Sequence, residues 1–374
     1  MFDGKEKVIA LLILITVLFS IFTIFVYSDS APSVSAKAAA LFEPETRKFL
    51  YSKKQNERLS MASTTKIMTA LIALENLPLD KIIQVDDRAI GIDGSSIYLK
   101  SGENLTAESL IYALMLRSAN DAAEALAYEI SGSIEGFCRL MNERAAELSL
   151  KDTHFSNPHG LDADNHYTTA HDLAIITAEA LKNEKFREIS STYKKEIDSS
   201  ETTRLLVNHN KLLKSYEGCI GVKTGYTKKS GRSLVSAADK NDITLISVTI
   251  NAPDDWNDHR KLLDYGFSRI HAEYLLAESS FTKEVPLLNA NRDTITVKNA
   301  APFKMIYDGA RPDISQKILM NAYLVAPIKK GDTVGKIVFI KDGKEFFSVD
   351  IIAADTIEAK SKKTLSDRLK KHYT

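Results

Sequence analysis

Three short strings in this 374-residue chain carry side chains that could do chemistry together. S-T-T-K at 63–66 sets a hydroxyl, Ser63, three residues before an amine, Lys66. On a helix such positions share a face. The serine becomes a nucleophile if the amine can take its proton, which requires desolvation or a neighbouring cation to lower the lysine's pKa. S-A-N at 118–120 places the Ser118 hydroxyl near the Asn120 carboxamide, a pair able to relay a proton and hold a substrate amide. K-T-G at 223–225 offers Lys223 and Thr224 to a carboxylate. Gly225 interrupts a strand-like run where another backbone must come close.

No string is specific by itself. The Ser-x-x-Lys spacing recurs at Ser191/Lys194 and Ser280/Lys283. Read alone, Ser63 is better explained as a helix cap with Lys66 on the surface. S-A-N alone is an interhelical turn, and K-T-G alone is an exposed strand end. Order and setting change this: the three fall in sequence at a helix start, a helix break and a strand. At a helix start the N–H groups are unpaired and the dipole is positive, so the serine's own N–H can help bind an oxyanion.

The elements that must hold these strings follow from periodicity. A hairpin is expected near 38–52. A helix then runs to about Leu77, where P-L-D breaks it, followed by a short strand in I-I-Q-V and a Gly/Ser patch at 91–96. Thr106 caps a helix that reaches about Ile130 and is interrupted at 118–121. A third helix over 134–149 has Phe137, Leu140, Met141, Ala145 and Leu148 at helical spacing. A polar loop at 152–171 contains N-P-H-G-L-D, and helix returns at about 170–183. C-I-G-V-K-T-G-Y, R-S-L-V-S-A-A and I-T-L-I-S-V-T-I then read as three strands, and a closing helix runs from Trp256 to about Ile270. An early hairpin and a late meander around helices predict an α/β (α+β) domain: one mostly antiparallel sheet, built from both ends, with a helical cluster against it. After about residue 275 the pattern is all strand, with D-G at 342–343 marking a hairpin.

Four segments result. Residues 1–36 are a signal peptide or membrane anchor, 37–275 the α/β domain that holds the three strings, 276–354 a small all-β domain, and 355–374 a basic, weakly amphipathic tail. The uncharged run at 8–27 is long enough to span a bilayer, and V-S-A at 34–36 offers small residues to a signal peptidase. Cleavage is preferred over retention, and both put the rest of the chain outside the cytoplasmic membrane. Leu365, Leu369 and Tyr373 recur every fourth residue in the tail, which reads as a membrane-surface helix or a solvated one. Basic and acidic residues balance at 49 each, without the basic excess of a nucleic-acid partner. Cys138 and Cys219 are too few for a disulfide framework and read as two buried thiols. His154, His159, His166 and His171 cluster, but without H-E-x-x-H or comparable ligand spacing, so they read as loop and cap residues; neither metal nor cofactor is expected.

With S-x-x-K, S-x-N and K-T-G in this order, the chain resembles the low-molecular-mass penicillin-binding proteins, the serine-type D-Ala-D-Ala carboxypeptidases. A-A-A-L-F-E-P-E-T, N-P-H-G-L and G-V-K-T-G-Y-T are similar to family strings, and A-P-D-D-W-N-D-H at 252–259 resembles members from spore formers. The resemblance implies a serine β-lactamase/D,D-peptidase-like fold. It also implies removal of the terminal D-alanine from peptidoglycan stem peptides, and acylation by β-lactams. It assigns Ser63 as nucleophile, Lys66 as general base and Ser118 as proton relay. Asn120 would hold the substrate amide, Lys223 and Thr224 the terminal carboxylate, and Gly225 would let the strand approach. The N–H groups of Ser63 and Tyr226 would form the oxyanion hole. Tyr226 stands where some relatives carry histidine. For the water-activating group, Asp162, Asp164, His159 and His166 stay open. A β-lactamase and a non-catalytic penicillin-binding cell-wall module are the rival readings.

Overall fold

The computed structural model describes residues 30–360; the apolar run at 8–27 and the tail from 361 lie outside them. A five-stranded sheet has the order Lys48–Lys53, Ala38–Glu43, Ile243–Ile250, Gly231–Lys240, Cys219–Thr227. Every neighbouring pair is antiparallel. The two ends of the segment meet where Ala40 pairs with Val248, and all six residues of Ala38–Glu43 are buried. Strand alternation serves both sheet faces. Val235 and Val248 face a core shared with the helices Lys66–Asn76, Ala107–Leu116 and Ala170–Ala180, while Leu234 and Leu245 face a second core with the helix Asp255–Arg269.

This order leaves Cys219–Thr227, which contains K-T-G, at the sheet edge. The helix Lys66–Asn76 runs through the larger core, and its residues 66–73 are all buried. Its apolar side chains, each worth about 1.5–3 kcal/mol when fully buried, carry Lys66 inside with them. The break at 118–121 is real: one helix ends at Leu116 and the next begins at Asn120, with Ser118 between them at φ 60°. Thr106 caps the first of these, its side chain accepting from Ser109 N–H.

Five elements go beyond what periodicity revealed. The helix Glu184–Ser191 buries only Phe186, Ile189 and Ser190, and the hairpin Lys194–Asp198/Thr203–Val207 buries Ile197 and Leu206. Each offers only two buried apolar side chains to mark it in the sequence. Leu212–Ser215 is a single helical turn. Ile270–Leu276 is a strand paired with Phe303–Asp308, outside the larger C-terminal sheet. The C-terminal all-β domain has a six-stranded sheet around Val285, Ile295, Val297, Phe339 and Ile351. Asp342 and Gly343 both take positive φ in its hairpin, as a two-residue D-G turn requires. Cys138 and Cys219 are free thiols, Cys138 buried and Cys219 half-buried; burial pushes the Cys138 thiol up to about 11.

Candidate active site

Ser63 lies in the 3-10 turn Ala62–Thr65, one turn ahead of the buried helix. It is not the helix cap; Thr65 occupies that position without a side-chain capping bond. Thr64 and Thr65 hydroxyls donate to the Met61 and Ala62 carbonyls at 2.6 and 2.8 Å and hold the turn closed. Ala62 takes a positive φ of 47°, a conformation that non-glycine residues keep only when their surroundings impose it. Two glycines let those surroundings close in. A Cβ on Gly225 would stand 3.1 Å from Ser63 N, and one on Gly160, in N-P-H-G-L, would stand 2.0 Å from the Ala62 carbonyl oxygen.

Lys66 is fully buried. Its Nζ lies 2.6 Å from Asn120 Oδ1, 2.6 Å from the His159 carbonyl oxygen and 3.0 Å from Ser63 Oγ. Burial pushes this amine well below the ordinary lysine range, and the Lys223 charge adds to the shift, opposed by Asp121. The partners then decide where its lone pair points. Two acceptors that cannot donate, both oxygens, take the two N–H bonds of a neutral amine. Ser63, a hydroxyl, is the one contact able to donate into the remaining lone pair.

Asn120 is held from three sides. Its N–H donates to the Ser95 carbonyl at 2.7 Å, its Nδ2 donates to the Asp93 carbonyl at 2.5 Å, and its Oδ1 faces Lys66. The next residue, Asp121, is buried and accepts from Ser96 Oγ at 2.5 Å and Leu99 N at 3.0 Å. The Gly/Ser patch at 91–96 is thus tied to the start of the S-A-N helix. On the opposite wall Lys223 is also buried, its Nζ donating to the Thr224 carbonyl at 3.0 Å, and burial pushes it down to about 7.

Ser63, Ser118, Thr224, Gly225 and Tyr226 line a cleft of about 590 Å³, behind which Lys66, Asn120 and Lys223 are buried. The structure therefore brings together all three strings and all eight residues singled out. It adds His209, Lys211, Arg232 and Trp256 to the same cleft. The polar run N-H-N-K at 208–211 and the lone tryptophan in A-P-D-D-W are the sequence signals for them, but no spacing ties either to Ser63. A second cavity of about 540 Å³ lies on the far side, near Phe42, Leu148 and Ile175. It contains none of the eight.

The clustered histidines disperse to separate partners. His166 bonds the Thr65 hydroxyl at 2.7 Å and accepts from Ser156 N, His159 Nε2 lies 3.3 Å from Glu124, His154 meets the Asn165 carbonyl, and His171 meets Asp172. Asp162 accepts from Ser60 and Thr227 at 2.9 and 3.0 Å, clamping the N-P-H-G-L-D loop to the end of the K-T-G strand.

The family model for peptidase S11, D-alanyl-D-alanine carboxypeptidase, matches residues 26–254, and that for the penicillin-binding protein 5 C-terminal domain matches 274–359. The chain is 35% identical over 336 residues to D-alanyl-D-alanine carboxypeptidase DacF of Bacillus subtilis, covering 87% of this chain and 85% of that one. It is 32% identical over 345 residues to DacC of Escherichia coli, covering 88% and 86%. The crystal structure of penicillin-binding protein 5 from Haemophilus influenzae superposes with a TM-score of 0.65 at 26% identity, over 88% of this chain and 99% of that one. With this architecture and these matches, the chain belongs to the serine D-alanyl-D-alanine carboxypeptidases of peptidase family S11, the low-molecular-mass penicillin-binding proteins.

Proposed function

We propose that the chain removes the terminal D-alanine from peptidoglycan stem peptides ending in D-Ala-D-Ala, through an acyl-enzyme on Ser63. The observation that carries this reading is the Lys66 amine, buried and 3.0 Å from Ser63 Oγ with oxygen acceptors on its other two sides. Ser63 gives its proton to Lys66 as its oxygen attacks the carbonyl between the two D-alanines. The negative oxygen that forms is taken by the N–H groups of Ser63 and Tyr226. Lys66 returns the proton through Ser118 to the departing nitrogen, the C–N bond breaks, and D-alanine leaves. Asn120 holds the amide on the acyl side; Lys223 and Thr224 receive the terminal carboxylate.

Water then cleaves the ester. Asp162 and His166 are committed to Ser60, Thr227, Thr65 and Ser156, His159 turns its ring to Glu124, and Asp164 is exposed. Lys66, neutral again once the amine has left, is the group we assign to activate the water. A β-lactam enters by the same attack and stays on Ser63. In this reading residues 37–275 carry the chemistry outside the cytoplasmic membrane, delivered there by segment 1–36.

The test is D-alanine release from a muramyl pentapeptide by the purified chain and by Ser63→Ala. Release by the wild type and a loss on the order of 10³-fold or more in the variant is expected. No release by the wild type overturns the proposal in favour of a non-catalytic module, and rapid penicillin turnover favours a β-lactamase.

A further inference from the structure

The short segment ahead of the first strand, V-S-A at 34–36, is built into the fold. Val34 and Ala36 are 5% and 0% exposed and pack into the second core with Leu41, Leu262 and Leu263. Between them Ser35 meets Asp258 in the closing helix. Its N–H donates to Asp258 Oδ1 at 2.9 Å and its hydroxyl to Oδ2 at 2.7 Å, and the Ala36 N–H donates to Oδ2 at 3.1 Å. Asp258 is buried, and these are the donors its carboxylate has among the described residues. The Ser35 hydroxyl also accepts from Asp254 N–H at 3.0 Å, and the Val34 carbonyl accepts from Lys53 Nζ at 2.8 Å. The segment is thus tied to the closing helix and to the edge strand Lys48–Lys53 at once.

The same three residues fit the small-x-small pattern after which a signal peptidase hydrolyses the chain. A cut between Ala36 and Lys37 would remove two core side chains and every one of those donors to a buried carboxylate. A buried charge left without partners is costly. Two other small-x-small triplets stand upstream, S-D-S at 28–30 and A-P-S at 31–33. Ser30, Ala31 and Ser33 are exposed, and a cut after either triplet leaves the contacts to Asp258 whole. We propose that residues 34–36 form a strap retained in the mature protein, and that the export cut falls upstream of it, after Ser30 or Ser33. This inference is independent of the acyl-transfer reading.

The test expresses the full chain in an exporting bacterium and determines the first residue of the exported protein by N-terminal sequencing and intact mass. Ala31 or Val34 is expected. A mature chain that begins at Lys37 or beyond overturns the proposal, and so does a chain exported uncut. Ser35→Ala, which keeps small residues throughout 34–36, tests the strap in the same exported protein. It should melt about 3 °C or more below the wild type, through the lost bond to a charged acceptor. Introduced into Asp258→Ala, the same substitution should change the melting temperature by less than about 1 °C, because its partner is already gone. An unchanged melting temperature in Ser35→Ala, or a full additive loss in Asp258→Ala, overturns the strap.

Discussion

Lys223→Met should make the protein more stable at neutral and acidic pH while removing substrate binding. Lys223 is buried, held near 7 against an ordinary 10.5, with burial as the cause. Below pH 7 both the folded and the unfolded chain carry the proton, and the folded state bears the full cost of a buried charge. Above 10.5 neither carries it and the cost is gone. At about 1.4 kcal/mol per pH unit, the gap between about 7 and 10.5 corresponds to roughly 5 kcal/mol. Loss of the Nζ contact to the Thr224 carbonyl returns about 1 kcal/mol of that. Methionine, unbranched and of similar length, fits the space with little strain. Urea unfolding of both proteins at pH 6 and pH 10 should show a gain of roughly 4 kcal/mol at pH 6, shrinking to near zero or slightly below at pH 10. A variant less stable than wild type at pH 6, or a gain independent of pH, would refute the reasoning.

Gly160→Ala should cost more than about 2 kcal/mol and slow acylation, since its Cβ would meet the Ala62 carbonyl at 2.0 Å from a backbone of φ 89°; thermal melting and penicillin acylation rates check both. Asp121→Ala should lose about 2–4 kcal/mol, because it leaves Leu99 N and Ser96 Oγ without their buried acceptor, and tryptic cleavage at Lys100 should quicken. The acid limb of kcat/KM should lie well below the roughly pH 10 of an ordinary lysine: Lys66 is held down by burial and by Lys223, so activity rises with pH as Lys66 loses its proton and is lost as pH falls through its folded value. A limb near pH 10 in the pH–rate profile would contradict that environment.

The sheet was legible because its strands are short runs rich in apolar and β-branched residues between turn signals, and the three strings because their side chains sit at fixed offsets on identifiable elements. Burial of Lys66 was not: the run K-I-M-T-A-L-I-A shows a helix, but only packing from all sides places every residue of it inside. The His159 carbonyl that bonds Lys66 comes from 93 residues away and is a backbone group, so no residue type announces it. Gly225 could be read as a close approach, whereas Gly160 lay in what looked like a polar surface loop and touches the backbone beside Ser63 just as closely. Arg232 and Trp256 reach the cleft through the fold alone, from a second strand and from the start of the closing helix.

The central claim is that Ser63, and neither Ser191 nor Ser280 with the same spacing to a lysine, is acylated. Labelling with a fluorescent penicillin, followed by proteolysis and mass mapping of the adduct, tests it directly. The account predicts a single adduct on the peptide carrying Ser63 and none in Ser63→Ala. An adduct on another serine, or labelling that persists in Ser63→Ala, would contradict it.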